Sequence, residues 1–176
     1  MNYARIITRD IANGPGVRTT LFVSGCTHHC PGCFNEVAWD FSYGRAFTED
    51  TIQHILNLLM PNYVAGLTLL GGEPFEPQNQ PALLELVKRI KTMYPEKTIW
   101  AYSGFLFEDD ILAGKLGDPA ITHELLRHID VLVDGPFIQN RHKLGLRFRG
   151  SDNQRIINVQ ESLAKNETVL WNDWQK

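Results

Sequence analysis

Short β-branched and aromatic runs alternate along the chain with stretches whose apolar residues recur at helical spacing. Thr19-Thr20-Leu21-Phe22-Val23 closes at Ser24-Gly25, which predicts a buried strand opening into a loop. Thr48 fits an N-cap, Ile52, Ile55, Leu56 and Leu59 follow on one helical face, and Pro61 bars continuation. Gly66-Leu67-Thr68-Leu69-Leu70 predicts a second strand, stopped by Gly71-Gly72. Beyond Pro81, six apolar residues from Leu83 to Met93 repeat at 3.6 spacing, and Lys88, Arg89 and Lys91 place positive charge on the last turns. Thr98-Ile99-Trp100-Ala101-Tyr102 predicts a third strand ending at Ser103-Gly104. A weaker helical pattern at 122–128 leads to a fourth strand, Val131-Leu132-Val133, ending at Asp134-Gly135-Pro136. Residues 155–159 read as a candidate further strand, and 171–176 carry no assignable pattern.

Strands separated by helices require crossovers, so the expected class is α/β with a mainly parallel sheet. In such a sheet the C-terminal ends of the strands share one edge. The segments 26–33, 71–74, 103–104 and 134–136 all follow strands and are expected to converge there as one pocket.

Composition narrows the class. In 176 residues, 43% hydrophobic and 21% charged side chains suffice for a packed core, and the length predicts one domain spanning 1–176. Seventeen basic against 20 acidic residues give a formal charge of -3, which provides no general field for nucleic acid or an anionic membrane. No run reaches the ~20 apolar residues of a membrane helix, and the opening Met1-Asn2-Tyr3-Ala4-Arg5 lacks a signal-peptide pattern. A cytoplasmic protein is expected.

The three cysteines, Cys26, Cys30 and Cys33, fall in one segment, Cys26-Thr27-His28-His29-Cys30-Pro31-Gly32-Cys33. An odd number at C-x3-C-x2-C spacing suits a metal centre better than a disulfide framework. Three thiolates on one loop can hold three irons of a [4Fe-4S] cubane and leave the fourth without a protein ligand. Structural zinc, with His28 or His29 as fourth ligand, satisfies the same residues.

The cysteine spacing after a first strand resembles the radical S-adenosylmethionine enzymes. Asn13-Gly14-Pro15-Gly16-Val17-Arg18 is similar to the D-G-P-G-x-R segment of their glycyl-radical-activating branch, with Asn13 in place of the acid. Leu21-Phe22-Val23-Ser24-Gly25-Cys26, Cys30-Pro31-Gly32-Cys33-Phe34-Asn35, Gly71-Gly72-Glu73-Pro74 and Arg149-Gly150-Ser151-Asp152-Asn153-Gln154 extend the resemblance, within that branch, to the group acting on anaerobic ribonucleoside-triphosphate reductase.

The resemblance implies an open, partial (β/α) barrel of the radical S-adenosylmethionine type. It implies a reduced [4Fe-4S] cluster passing one electron to S-adenosylmethionine, which splits into methionine and a 5′-deoxyadenosyl radical. That radical takes a hydrogen atom from one glycine of the reductase's large catalytic subunit, and a one-electron donor such as a flavodoxin supplies the cluster. Cys26, Cys30 and Cys33 become the cluster ligands. Gly71, Gly72 and Glu73 match the motif that binds the methionine ammonium, for which a carboxylate beside two glycines is chemically suited. Gly32, Cys33 and Phe34 are assigned to the adenosine, although Gly32 stands where relatives carry an apolar residue. Ser103 and Asp134, with Tyr102, fall where the branch contacts the methionine and ribose ends.

Other residues have plainer expectations. Arg18 and Arg149 are read as ties between loop and scaffold, and Trp100, Trp171 and Trp174 as packing residues, the last two also suiting a partner surface. A closed barrel typically takes about 250 residues, so this shorter chain is expected to leave its pocket open on one side for a protein substrate. Two other functions fit the same motifs: a short radical enzyme acting on a small heterocycle, and a non-catalytic zinc-loop adaptor.

Overall fold

In the computed structural model, which describes residues 1–172, seven strands form one mixed sheet with helices packed against it. The order along the chain is β1 (Asn2–Asp10), β2 (Val17–Val23), β3 (Arg45–Ala46), α1 (Glu49–Leu59), β4 (Val64–Gly71), α2 (Gln80–Met93), β5 (Thr98–Tyr102), α3 (Pro119–Arg127), β6 (Val131–Asp134), β7 (Arg155–Asn158) and α4 (Val159–Lys165). The spatial order is β3-β1-β2-β4-β5-β6-β7. The pairs β2–β4, β4–β5 and β5–β6 are parallel. Both flanks are antiparallel, β1 with β2 and β3 on one side and β7 with β6 on the other. Among the described residues β3 and β7 do not pair with each other, so the sheet is open.

The parallel centre and its helices follow the apolar pattern, whereas the antiparallel flanks and α4 lie where that pattern is weak. Within α1, the Thr48 backbone N–H donates to Thr51 Oγ1 at 3.2 Å, and Ile52, Ile55, Leu56 and Leu59 are buried. Period-two alternation sorts the strand residues onto two faces. Leu21, Leu67, Leu69, Ile99, Ala101, Leu132 and Ile157 join the helices in the main core. Trp100, Val131, Val133 and Ile156 form a smaller cluster on the other face, joined by Tyr102, Phe148 and Trp171. Trp171 packs edge-on to Trp100 with ring centroids 5.0 Å apart, so it serves as packing, while Trp174 lies outside the described residues.

Arg18 shares the face of Trp100 and is almost wholly buried. Its guanidinium donates to Thr68 Oγ1 (2.8 Å), Thr98 Oγ1 (3.0 Å), Leu67 O (2.7 Å) and Thr98 O (2.8 Å). Burial lowers its pKa to about 10, yet these acceptors satisfy the donors of a cation spanning β2, β4 and β5. Thr68 in turn donates to Asn13 O at 2.8 Å, and Asp10 accepts from Asn13 Nδ2 at 2.7 Å. The 10–16 loop is thereby fastened to the strands, the scaffold tie expected of Arg18.

Candidate active site

The loops after β2, β4, β5 and β6 surround a cavity of about 600 Å³ at the strands' C-terminal edge. Cys26, Cys30 and Cys33 all line it, and none is in a disulfide. Their loop is fixed at its start, where Gly25 N donates to Ala38 O (2.8 Å) and Cys26 N to Trp39 O (3.2 Å). It is held again at Thr27, whose backbone N–H and hydroxyl both donate to Glu76 Oε1, at 2.7 and 2.6 Å. Burial pushes the Cys26 thiol up to about 12 and also raises that of Cys30. Taking up a metal group therefore releases protons, because thiolates are the ligands.

The donor set fits a cluster better than a single ion. His28 is engaged elsewhere, with Nε2 3.0 Å from Glu73 Oε2, and the His29 ring stacks on Trp39 at 4.6 Å. The zinc alternative thus lacks its fourth ligand in this arrangement, while three thiols on one cavity match the three-ligand requirement of an open-site cubane.

Glu73 is buried and lines the cavity. Its Oε1 accepts from Phe75 N (2.8 Å), and its Oε2 accepts from Gly104 N (2.7 Å) and faces His28. Burial opposes charge on His28, but the hydrogen bond and charge of Glu73, with Glu76 and Asp110, hold its pKa above the ordinary value. Backbone N–H groups thus orient a carboxylate toward a space able to take an ammonium. Gly71 and Gly72 bring this segment against the cysteine loop. A Cβ on Gly72 would lie 2.5 Å from Gly25 O, and one on Gly71, where φ is +111°, would lie 2.7 Å from Phe22 Cα.

Gly32, Phe34 and Ser103 also line the cavity. Phe34 is 79% exposed, which places it at the rim and not in the core. The Ser103 hydroxyl accepts from Phe105 N at 3.0 Å. Asp134 is the exception among the expected site residues, since it is fully buried and does not line the cavity. Its Oδ2 accepts from Phe107 N at 2.9 Å, and both carboxylate oxygens meet the Arg155 guanidinium. Arg155 also reaches Glu108, whose pKa it lowers to about 2. This carboxylate is spent on joining β6 and β7 to the chain after β5.

Several groups at the site were not anticipated as parts of it. Glu76 and Asn79 continue a three-residue spacing from Glu73, a polar signal within a Pro-rich stretch. Asn79 Nδ2 donates to Ser24 O and Glu73 O, both at 3.0 Å. Arg149 lines the cavity, with Nε buried and without a hydrogen-bond partner, and the hydroxyl of Tyr102, which was expected there, is likewise buried and unpartnered. Unsatisfied polar atoms in a cavity are the features a polar ligand would complete.

Residues 12–157 match the family described as a 4Fe-4S single cluster domain. The chain is 40% identical over 167 residues to the anaerobic ribonucleoside-triphosphate reductase-activating protein of Enterobacteria phage T4, covering 95% of this chain and 100% of the relative. The protein of that name from Vibrio cholerae is 44% identical over 158 residues, covering 89% and 97%, and that from Escherichia coli 42% over 162, covering 91% and 100%. Matches of this identity over nearly the full length of both partners leave one assignment: the chain belongs to the family of anaerobic ribonucleoside-triphosphate reductase-activating proteins.

Proposed function

We propose that residues 1–176 form one radical S-adenosylmethionine domain, an open partial (β/α) barrel, that activates the large catalytic subunit of anaerobic ribonucleoside-triphosphate reductase in the cytoplasm. The observation that carries this reading is the convergence of three free thiols and a backbone-oriented Glu73 on one cavity, in a chain related to activating proteins along most of its length. When bound, the [4Fe-4S] cluster supplies one electron to S-adenosylmethionine, giving methionine and a 5′-deoxyadenosyl radical.

The chain's own residues bind and orient. Cys26, Cys30 and Cys33 would hold three irons of the cluster, and Glu73, oriented by Phe75 N and Gly104 N, would receive the methionine ammonium. Gly32 and Phe34 flank the adenosine at the rim, and Ser103 borders the same space. A glycine of the reductase subunit gives up its hydrogen atom, which completes 5′-deoxyadenosine and leaves the glycyl radical on the partner. The open side of the barrel is closed by that partner, which keeps water from the reacting atoms. A one-electron donor such as a flavodoxin supplies the electron. Nucleic acid and membrane have no part in the reading; among the described residues no helix is long and apolar enough to cross a membrane.

Colour and product analysis separate this function from a zinc adaptor. The chain reconstituted anaerobically with iron and sulfide is expected to be brown, and with a strong reductant to release methionine and 5′-deoxyadenosine in equal amounts. A chain that takes up only zinc, stays colourless and leaves S-adenosylmethionine intact would sink the proposal.

A further inference from the structure

Beyond the cavity-lining Arg149, the bonds of the Arg149-Gly150-Ser151-Asp152-Asn153-Gln154 motif reveal another task. Gln154 Oε1 accepts from Gly150 N (2.8 Å) and Ser151 N (3.1 Å), while its Nε2 donates to Gly135 O (3.0 Å). Asn153 Nδ2 donates to Pro136 O (2.8 Å), Ile138 N donates to Ser151 Oγ (3.1 Å), and Arg141 Nε donates to Asp152 Oδ1 (2.6 Å). The motif therefore staples the base of the long β6–β7 connection and leaves residues 143–148 as its tip, held at one end by the Lys143–Asp152 ion pair and at the other by Phe148 packed edge-on to Trp100. Loops of such length are usually functional.

The tip carries an unusual side chain for its position. Leu144 is 95% exposed, the highest value among the exposed large hydrophobics, and a Cβ on the adjacent Gly145 would meet nothing within 4 Å. Leu146 and Phe148 on the same tip line the cavity, so the tip stands at its mouth. Phe34 at the rim is 79% exposed, and Ile11, next to the lining residue Ala12, is 74% exposed. Charge is equally uneven. From 135 to 154 there are four basic residues, Arg141, Lys143, Arg147 and Arg149, against one acid, Asp152, which pairs with both Arg141 and Lys143, in a chain of formal charge -3.

We propose that the 143–148 tip is the docking element for the reductase's large subunit, seating Leu144 in an apolar socket bordered by acidic side chains beside the radical-site glycine. This rests on the function proposed above. A stapled base means that little conformational entropy is lost on binding. An exposed apolar anchor among cations favours a partner surface of opposite charge, since like charge opposite the tip would repel. Its place at the cavity mouth ties docking to closure of the reaction space.

The test measures affinity of the cluster-loaded chain for the large subunit by calorimetry, comparing wild type, Leu144→Asp and Arg147→Glu. Cluster content, S-adenosylmethionine affinity and partner-free cleavage are expected to stay at wild-type level, because neither residue lines the cavity. Partner affinity is expected to fall about tenfold or more in each variant, as for loss of a buried anchor or of complementary charge. Added salt should weaken wild type more than Arg147→Glu. Wild-type affinity in both variants, or a change only in self-association, would overturn the docking assignment while leaving the proposed function standing. If wild type itself neither binds nor activates the large subunit, the functional reading fails first.

Discussion

Replacing any one of Cys26, Cys30 or Cys33 with Ala is expected to reduce cluster content severely and to bring glycyl-radical yield on the reductase down to background. The reason is stoichiometric and geometric. The chain has three cysteines in all, each of them lines the one cavity, and of the two imidazoles between Cys26 and Cys30, His28 is committed to Glu73 and His29 stacks on Trp39. No spare soft ligand stands ready to replace a lost thiolate. Iron and sulfide per chain after anaerobic reconstitution, together with radical yield, measure the effect. Single variants that retained full iron, full sulfide and full yield would show that the ligands had been misassigned.

The second large effect is expected at the Gly71-Gly72-Glu73 segment. In Glu73→Gln the new amide must set an N–H₂ against Phe75 N–H or against Gly104 N–H and His28, so a donor faces a donor where a carboxylate had accepted. The charge that would meet an ammonium is lost as well. Affinity for S-adenosylmethionine should fall by about 1–3 kcal/mol, the usual cost of a broken charged hydrogen bond. Gly72→Val acts differently. Its Cβ would approach to 2.5 Å from Gly25 O, so the variant displaces the start of the cysteine loop itself. It should lose cluster as well as cofactor affinity, whereas Glu73→Gln should keep the cluster. Calorimetry beside iron analysis tells the two apart, and unchanged affinity in both variants would remove this segment from the site.

The parts of the fold legible in the sequence are those whose burial leaves a period. Strands β2, β4, β5 and β6 are almost continuously buried and read as apolar runs, while α1 and α2 show one apolar face each. Strand β1 escaped because Asn2–Asp10 is only partly buried along most of its length, and its arginines break the alternation. Strand β7 falls within the 155–159 stretch read as a candidate strand, but its antiparallel direction and the seven-residue α4 left no local pattern.

At the site, the cysteines and Glu73 are conspicuous because their chemistry depends on local spacing, and the structure brings them to one cavity. The engagement of Asp134 by Arg155 was not legible, because that partner lies 21 residues further on, beyond the reach of any local pattern. Glu76 was overlooked for the same reason in reverse. It bonds Thr27, 49 residues earlier, across two strands that only folding makes neighbours.

The central claim is that this chain places a radical on a protein glycine. Its most direct test is electron paramagnetic resonance of the reductase's large subunit after anaerobic incubation with the reduced, cluster-loaded chain and S-adenosylmethionine, beside a subunit whose radical-site glycine is Ala. A doublet glycyl signal from the wild-type subunit and none from the Ala variant is the expected result. Equal signals from both, or turnover of a small heterocycle with no protein partner present, would contradict it.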